Sequence, residues 1–206
     1  MTKKLNMKKT HAYIESKPHG KTARLAIVAI RHAVRNANPA DTMNAIYENA
    51  WSAAKAYQSY AFKKQFPRII NAHTAKGKAI ITRASNTIRA RDGALHERIV
   101  RGLLGVVSNL DVRNAPRSNG DFTFDGELCE AKTTLRERRK QIFADGNAPS
   151  YVFVQSVESS TAASYITSHG AKLVVCSQAG YEAACADPHV LNLSDVIGTQ
   201  LYQRLV

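Results

Sequence analysis

Residues 120–132 read Gly-Asp-Phe-Thr-Phe-Asp-Gly-Glu-Leu-Cys-Glu-Ala-Lys, and the fold of the chain turns on them. Asp125-Gly126 favours a two-residue turn whose backbone matches strand twist, and it stands between two runs of alternating character. A β-hairpin is therefore expected, with strands from Gly120 to Phe124 and from Glu127 to Thr133. If Asp125 and Gly126 form the turn, Phe124 faces Glu127, Phe122 faces Cys129, and Asp121 falls opposite Glu130. Alternation then puts Asp121, Thr123, Leu128, Glu130 and Lys132 on one face and Phe122, Cys129 and Ala131 on the other. The second face is apolar and belongs to a core.

Two carboxylates side by side on a sheet repel each other and persist most readily with a divalent cation between them. Their hard oxygens suit Mg²⁺. A lysine two residues beyond one of them points into the same place, where it can orient or help deprotonate a water and offset the charge of a phosphate. These are the parts that phosphodiester hydrolysis requires. An acidic residue, any residue and a lysine is a weak motif by itself, with about one chance occurrence expected in a chain of this composition. The sequence has two. Glu15-Ser16-Lys17 has no structured acidic neighbour, whereas Glu130-Ala131-Lys132 faces Asp121. The bland alternative is a polar hairpin face open to solvent.

Charge adds a second line of evidence. The 206 residues carry a net charge of +13, and residues 1–91 hold 18 Lys/Arg against 3 Asp/Glu, whereas residues 92–206 hold 11 against 13. So concentrated an excess repels itself without a polyanionic partner, and nucleic acid is the commonest one. Solvated helix faces are the alternative.

Upstream of the hairpin, residues 1–21 carry six lysines and few apolar anchors, the composition of a flexible basic arm. A helix is expected from Thr22 to Asn36 with Leu25, Val28, Ile30 and Val34 inward, ended by Asn38-Pro39. Asp41 is placed to cap a longer helix whose stripe is Met43, Ile46, Tyr47, Ala50, Trp51, Ala54 and Tyr57, stopped by Pro67. That aromatic stripe reads as core packing rather than a base-stacking platform. No single element reads out of residues 68–91, but Lys76, Lys78, Arg83, Arg89 and Arg91 suit phosphate contact. A further helix from Ala94 to about Val107 turns Leu95, Ile99, Leu103 and Val106 to the core and carries Glu97. Asp111 to Gly120 is expected to be a loop.

Downstream, the pattern is helix (Leu135 to Phe143), strand (Tyr151 to Val157), helix (Ser160 to Ser168), strand (Ala171 to Ser177), then a short strand and a final helix. Arg136, Arg138, Arg139 and Lys140 follow the charged strand at once and either hold phosphates or form a solvated face. Gln155 sits on the expected third strand, as a hydrogen-bonded core residue or one touching substrate. The expected architecture is α/β, a mixed sheet flanked by helices, divided into a basic arm (1–21), a helical DNA-contacting region (22–92) and a catalytic core (93–206).

No apolar run approaches the roughly 20 residues that span a bilayer, and no apolar stretch backs the lysine-rich first residues. Cys129, Cys176 and Cys185 match neither a disulfide framework nor a zinc cluster, so they read as reduced thiols of a cytoplasmic protein. The seven histidines have no metal-ligand spacing.

Asp121 followed nine residues on by Glu130-Ala131-Lys132, and then by strand, helix and strand, resembles the PD-(D/E)xK nuclease superfamily, most of all its type II restriction endonucleases. The resemblance covers about residues 93–180. Gly120 stands where the written pattern has a proline. The resemblance implies a mixed sheet flanked by helices, Mg²⁺ on Asp121 and Glu130, a water positioned by Lys132, and a further glutamate on the preceding helix, corresponding to Glu97. An exposed Glu97 paired with Arg98 or Arg101 is the competing reading. It also implies double-stranded DNA as substrate and a homodimer, because cutting both strands of a palindrome needs two sites related by two-fold symmetry. A junction resolvase-like or phage recombination nuclease of the same fold shares these features, and a non-catalytic basic DNA-binding protein shares the charge.

Overall fold

The computed structural model describes residues 21–38, 40–65, 92–105, 112–114, 120–135, 139–146 and 148–197, with 21–23, 59–65, 112–114, 139 and 145 described by backbone alone. Residues 1–20 of the expected arm therefore lie outside the described residues, as does the basic stretch 68–91, and Lys21 is the first residue of a helix.

Among the described residues, six strands form one sheet in the order of the chain: β1 (Val112–Asn114), β2 (Phe122–Phe124), β3 (Glu127–Lys132), β4 (Tyr151–Val154), β5 (Lys172–Val175) and β6 (Val190–Asn192). β1, β2 and β3 pair antiparallel, and β3 to β6 run parallel. Part of the expected loop is thus a short edge strand, held by backbone pairing that its Arg and Asn side chains do not advertise. The hairpin adopts the expected register, with Phe122 opposite Cys129 and Phe124 opposite Glu127. Asp125 and Gly126 both have positive φ, at 52° and 82°, which is the turn that Asp-Gly favours.

Helices cover both faces. On one side lie α1 (Lys21–Asn36), α2 (Met43–Gln65), α3 (residues 92–105) and α7 (Leu193–Ile197), over a core that includes Phe122, Phe124, Cys129, Ala131, Phe153 and Val174. On the other lie α4 (Arg139–Ile142) and α5 (Ser160–Ser168), where Leu135, Ile142, Ala162 and Ile166 pack on Val152, Val154, Leu173 and Val175. The remaining helix, α6 (Gln178–Ala184), buries no side chain, so no apolar stripe announced it.

In α1 the buried apolar positions are Leu25, Ala26, Ala29, Ile30 and Ala33, while Val28 and Val34 are only partly buried. Small side chains let α1 lie close along α2, which a reading weighted toward bulky residues passes over. The α2 stripe buries Met43, Ile46, Tyr47, Ala50, Ala54 and Tyr57, with Trp51 packed at its margin. Asp41 does not cap this helix. Thr42 does, its Oγ1 accepting the Ala45 N–H at 3.2 Å, while Asp41 Oδ2 accepts the N–H of Asn38. Two residues at an N-terminus compete for one role, and Thr42 has the spacing to its third helical residue that a cap needs. Of the helix expected over 135–143, the described helical residues are Arg139–Ile142, followed by a 3₁₀ turn at Ala144–Gly146, and residues 136–138 lie outside the described residues.

Asn44 ties the layers together from inside. Its Nδ2 donates to Val175 O at 2.8 Å and to Ser177 O at 3.3 Å, and its Oδ1 accepts the Leu193 N–H at 2.8 Å.

Candidate active site

The site grows out of the hairpin where β2 begins and β3 ends. Gly120 has φ +86°, and a Cβ there would lie 2.9 Å from Leu128 Cδ1 and 3.0 Å from Cys129 O. Proline, fixed near −65°, cannot adopt that backbone. The turn at Gly120 directs the Asp121 N–H to Cys129 O at 3.0 Å. It also lets the Asp121 carboxylate cross to β3, where Oδ2 accepts the Ala131 N–H at 2.9 Å.

Lys132 completes the group. Its Nζ donates to Asp121 Oδ2 at 3.0 Å and to Glu130 Oε2. One ammonium therefore joins the two carboxylates that the hairpin register brings together. Glu130 is buried to 6% exposure, and the register partners of Glu130 and Lys132 are Val152 and Val154. Across β3 and β4 the same face of the sheet thus changes from charged to apolar.

Burial pushes the Glu130 carboxyl above its ordinary range, a push that the Lys132 contact opposes and the neighbouring Asp121 charge reinforces. Burial alone would lower Lys132, but the charge of Asp121 and the bond to Glu130 override it, and the net direction is upward. Lys132 is therefore an ammonium at neutral pH, suited to donate hydrogen bonds and not to act as a base.

Among the described residues, no group of three or more His, Cys, Asp or Glu side chains forms a ready-made metal cage. Two adjacent carboxylates nonetheless fit Mg²⁺, which keeps several waters and binds through one or two carboxylates plus substrate oxygens. The cationic Nζ between them shows that the pair accepts positive charge at that point.

Glu97 lies on α3 and pairs with Arg101, whose Nη1 donates to Glu97 Oε1 at 3.1 Å. The Arg101 guanidinium sits 5.7 Å from the ring centroid of Phe122, the residue after Asp121. Gln155 follows the last residue of β4 instead of lying on it, and its carbonyl accepts the Ser177 N–H at 3.3 Å. Lys76, Lys78, Arg83, Arg89, Arg91, Arg136 and Arg138 lie outside the described residues, and Arg139 is described only as the first residue of α4.

Sequence reasoning missed His96. It is fully buried, its Nδ1 is 2.6 Å from Tyr47 Oη, and its Nε2 is 3.2 Å from Phe153 O. Positions 96, 99, 100 and 103 follow the spacing of an inward helix face, and that spacing was the available signal.

No family model matches the sequence, and no curated protein sequence resembles it significantly. Its fold resembles that of Ecl18kI, a type II restriction endonuclease. The metal-depleted complex with uncleaved DNA superimposes with a TM-score of 0.58 at 16% identity, covering 98% of this chain and 85% of that one. The metal-depleted complex with uncleaved, modified DNA gives the same TM-score at 15% identity, covering 98% and 84%. The chain has a restriction-endonuclease-like fold.

Proposed function

We propose that this chain, built on the fold of a restriction endonuclease, is a Mg²⁺-dependent endonuclease that hydrolyses phosphodiester bonds of double-stranded DNA. The observation that carries the reading is the convergence of Asp121, Glu130 and Lys132 at one end of the hairpin. We further propose that it is sequence-specific and acts as a homodimer, since paired cuts in a palindrome need two sites related by two-fold symmetry.

Asp121 and Glu130 would hold Mg²⁺, which when bound lowers the pKa of water and polarises a phosphoryl oxygen. The Ala131 N–H and Lys132 Nζ both hold Asp121 Oδ2, so this carboxylate would be oriented before a cation binds. Lys132, charged and a donor, orients the attacking water and faces the charge that builds on the phosphate. The water oxygen bonds to phosphorus as the bond to the departing sugar oxygen breaks; the water loses a proton and that oxygen gains one. The basic residues of the N-terminal half, together with Arg136 and Arg139, would grip the phosphate backbone.

The test is incubation of the purified protein with phage or plasmid DNA, with Mg²⁺ and with EDTA, repeated with Lys132→Ala. Discrete fragments that need Mg²⁺ and disappear in the variant support the reading. Salt-sensitive binding without cleavage overturns it, and cutting confined to synthetic four-way junctions replaces sequence specificity with structure specificity.

A further inference from the structure

A partly buried polar arrangement close to the site starts on α2. Lys55 Nζ lies 2.8 Å from both carboxylate oxygens of Asp92, the first described residue of α3, and 5.7 Å from the centroid of the Trp51 ring. Trp51 stacks on Tyr47, and the His96 ring stands edge-on to both. The chain of hydrogen bonds then runs from Tyr47 to His96 and on to the main chain of β4.

This chain has a direction. A carbonyl oxygen only accepts, so Nε2 carries the proton that Phe153 O receives, and Nδ1 accepts the hydroxyl proton of Tyr47. His96 is thereby fixed in one tautomer and one ring orientation. Phe153 is the register partner of Ala131, the residue between Glu130 and Lys132. Asp121 and Lys132 lie close enough to act on the His96 charge with opposite signs. One residue further along α3 is Glu97, and one turn beyond that, Arg101 covers Phe122 beside Asp121. α3 therefore touches the layer of the hairpin through His96 at β4 and through Arg101 at β2, with Glu97 between.

We propose that His96 is a positioning residue of this site: held in one tautomer between Tyr47 and the Phe153 carbonyl, it fixes the rotation of α3 and so the placement of Glu97 and Arg101 against the catalytic hairpin. The inference rests on the nuclease reading for its effect on cleavage, but the tether itself does not. Both nitrogens of a buried ring need partners, and here they come from two different elements, α2 and β4, so satisfying them ties α3 to both. A buried histidine with both nitrogens engaged resists rotation and sliding of its helix, and an error of about 1 Å in a reacting group can cost up to about a hundredfold in rate.

Tyr47→Phe removes the hydroxyl and leaves the ring, and His96→Gln is the second variant. Hydrogen exchange on the full chain should show amides of residues 93–101 opening about tenfold faster in Tyr47→Phe, with those of β5 and α5 unchanged. Cleavage should lose about tenfold or more in kcat with KM for DNA held within about twofold. His96→Gln should slow Glu97→Gln by clearly less than it slows the parent protein, because part of its effect runs through Glu97. Exchange raised equally over the whole core, or unchanged in α3, overturns the tether. Unchanged kcat in a folded variant overturns its link to the site. Absence of Mg²⁺-dependent cleavage by the parent protein overturns the nuclease reading instead, and the exchange result still decides the tether.

Discussion

The buried His96 makes a quantitative statement about pH. Desolvation lowers its pKa from 6.5 to about 4, with the bond to Phe153 O and the charge of Asp121 pulling weakly the other way and Lys132 adding to the fall. The unfolded chain binds this proton near pH 6.5 and the folded one only near pH 4, so the stability present above pH 6.5 is lost as the pH falls through that window. The linkage relation gives a loss of about 2 kcal/mol at pH 5 and about 3 kcal/mol at pH 4 from this one residue. His96→Gln removes the titration. At pH 7 the variant should be less stable by about 1–3 kcal/mol, because Tyr47 Oη and Phe153 O lose well-placed partners in a buried site. On acidification the parent protein should lose stability faster than the variant, and the gap should close or reverse between pH 6.5 and 4. Urea unfolding of both proteins at half-unit intervals measures it directly, since every other titrating group is common to the two and cancels. A gap that stays constant from pH 7 to pH 4 refutes the reasoning.

In the metal-free protein Glu130 should titrate above the ordinary carboxylate range, because burial disfavours its anion more than Lys132 rescues it, and Mg²⁺ should draw it back down. Carboxyl ¹³C spectra with and without Mg²⁺ measure both, and a metal-free value below that range refutes the first. Gly120→Ala combines a left-handed backbone with a Cβ pressed on Leu128 and Cys129 O, so thermal unfolding should report a loss of about 1–3 kcal/mol. Cleavage should fall as well, because Asp121 takes its direction from that turn. Asn44→Ala leaves the Leu193 N–H without its partner, and denaturant unfolding should show about 1–3 kcal/mol lost with the Mg²⁺ dependence of cleavage unchanged.

The hairpin was legible because every level of the sequence agreed on it. Asp125-Gly126 set the turn, the turn set the register, and the register put Asp121 beside Glu130 with Phe122 and Cys129 on the buried side. The long α2 stripe was legible for the same reason, its period repeating over four turns. What escaped notice was held by backbone or by small groups. β1 pairs through main-chain atoms that any sequence possesses, α1 packs through alanines, and α6 buries nothing. His96 escaped because a histidine on an apolar helix face reveals neither of its partners, which come from 49 residues before it and 57 after it. Thr42 and Asp41 show a narrower limit, since composition marks a helix start to within a residue and only geometry chooses the cap.

The alternation that made the hairpin readable also explains why its chemistry can be precise. Ala131 sends its side chain into the core, gives its N–H to Asp121, and sits beside Phe153, which receives His96. Any movement of the core under β3 is therefore transmitted to the carboxylates above it. The charges complete the argument. With both carboxyls ionised, Asp121, Glu130 and Lys132 together carry one net negative charge, which by itself repels a phosphate. A bound divalent cation would reverse that sign at the scissile bond alone, whereas the lysines and arginines of residues 1–91 would attract the duplex whether or not the cation is present. In the proposed enzyme, binding thus belongs to the basic half and cutting to the hairpin, so removal of Mg²⁺ should abolish the second and spare the first.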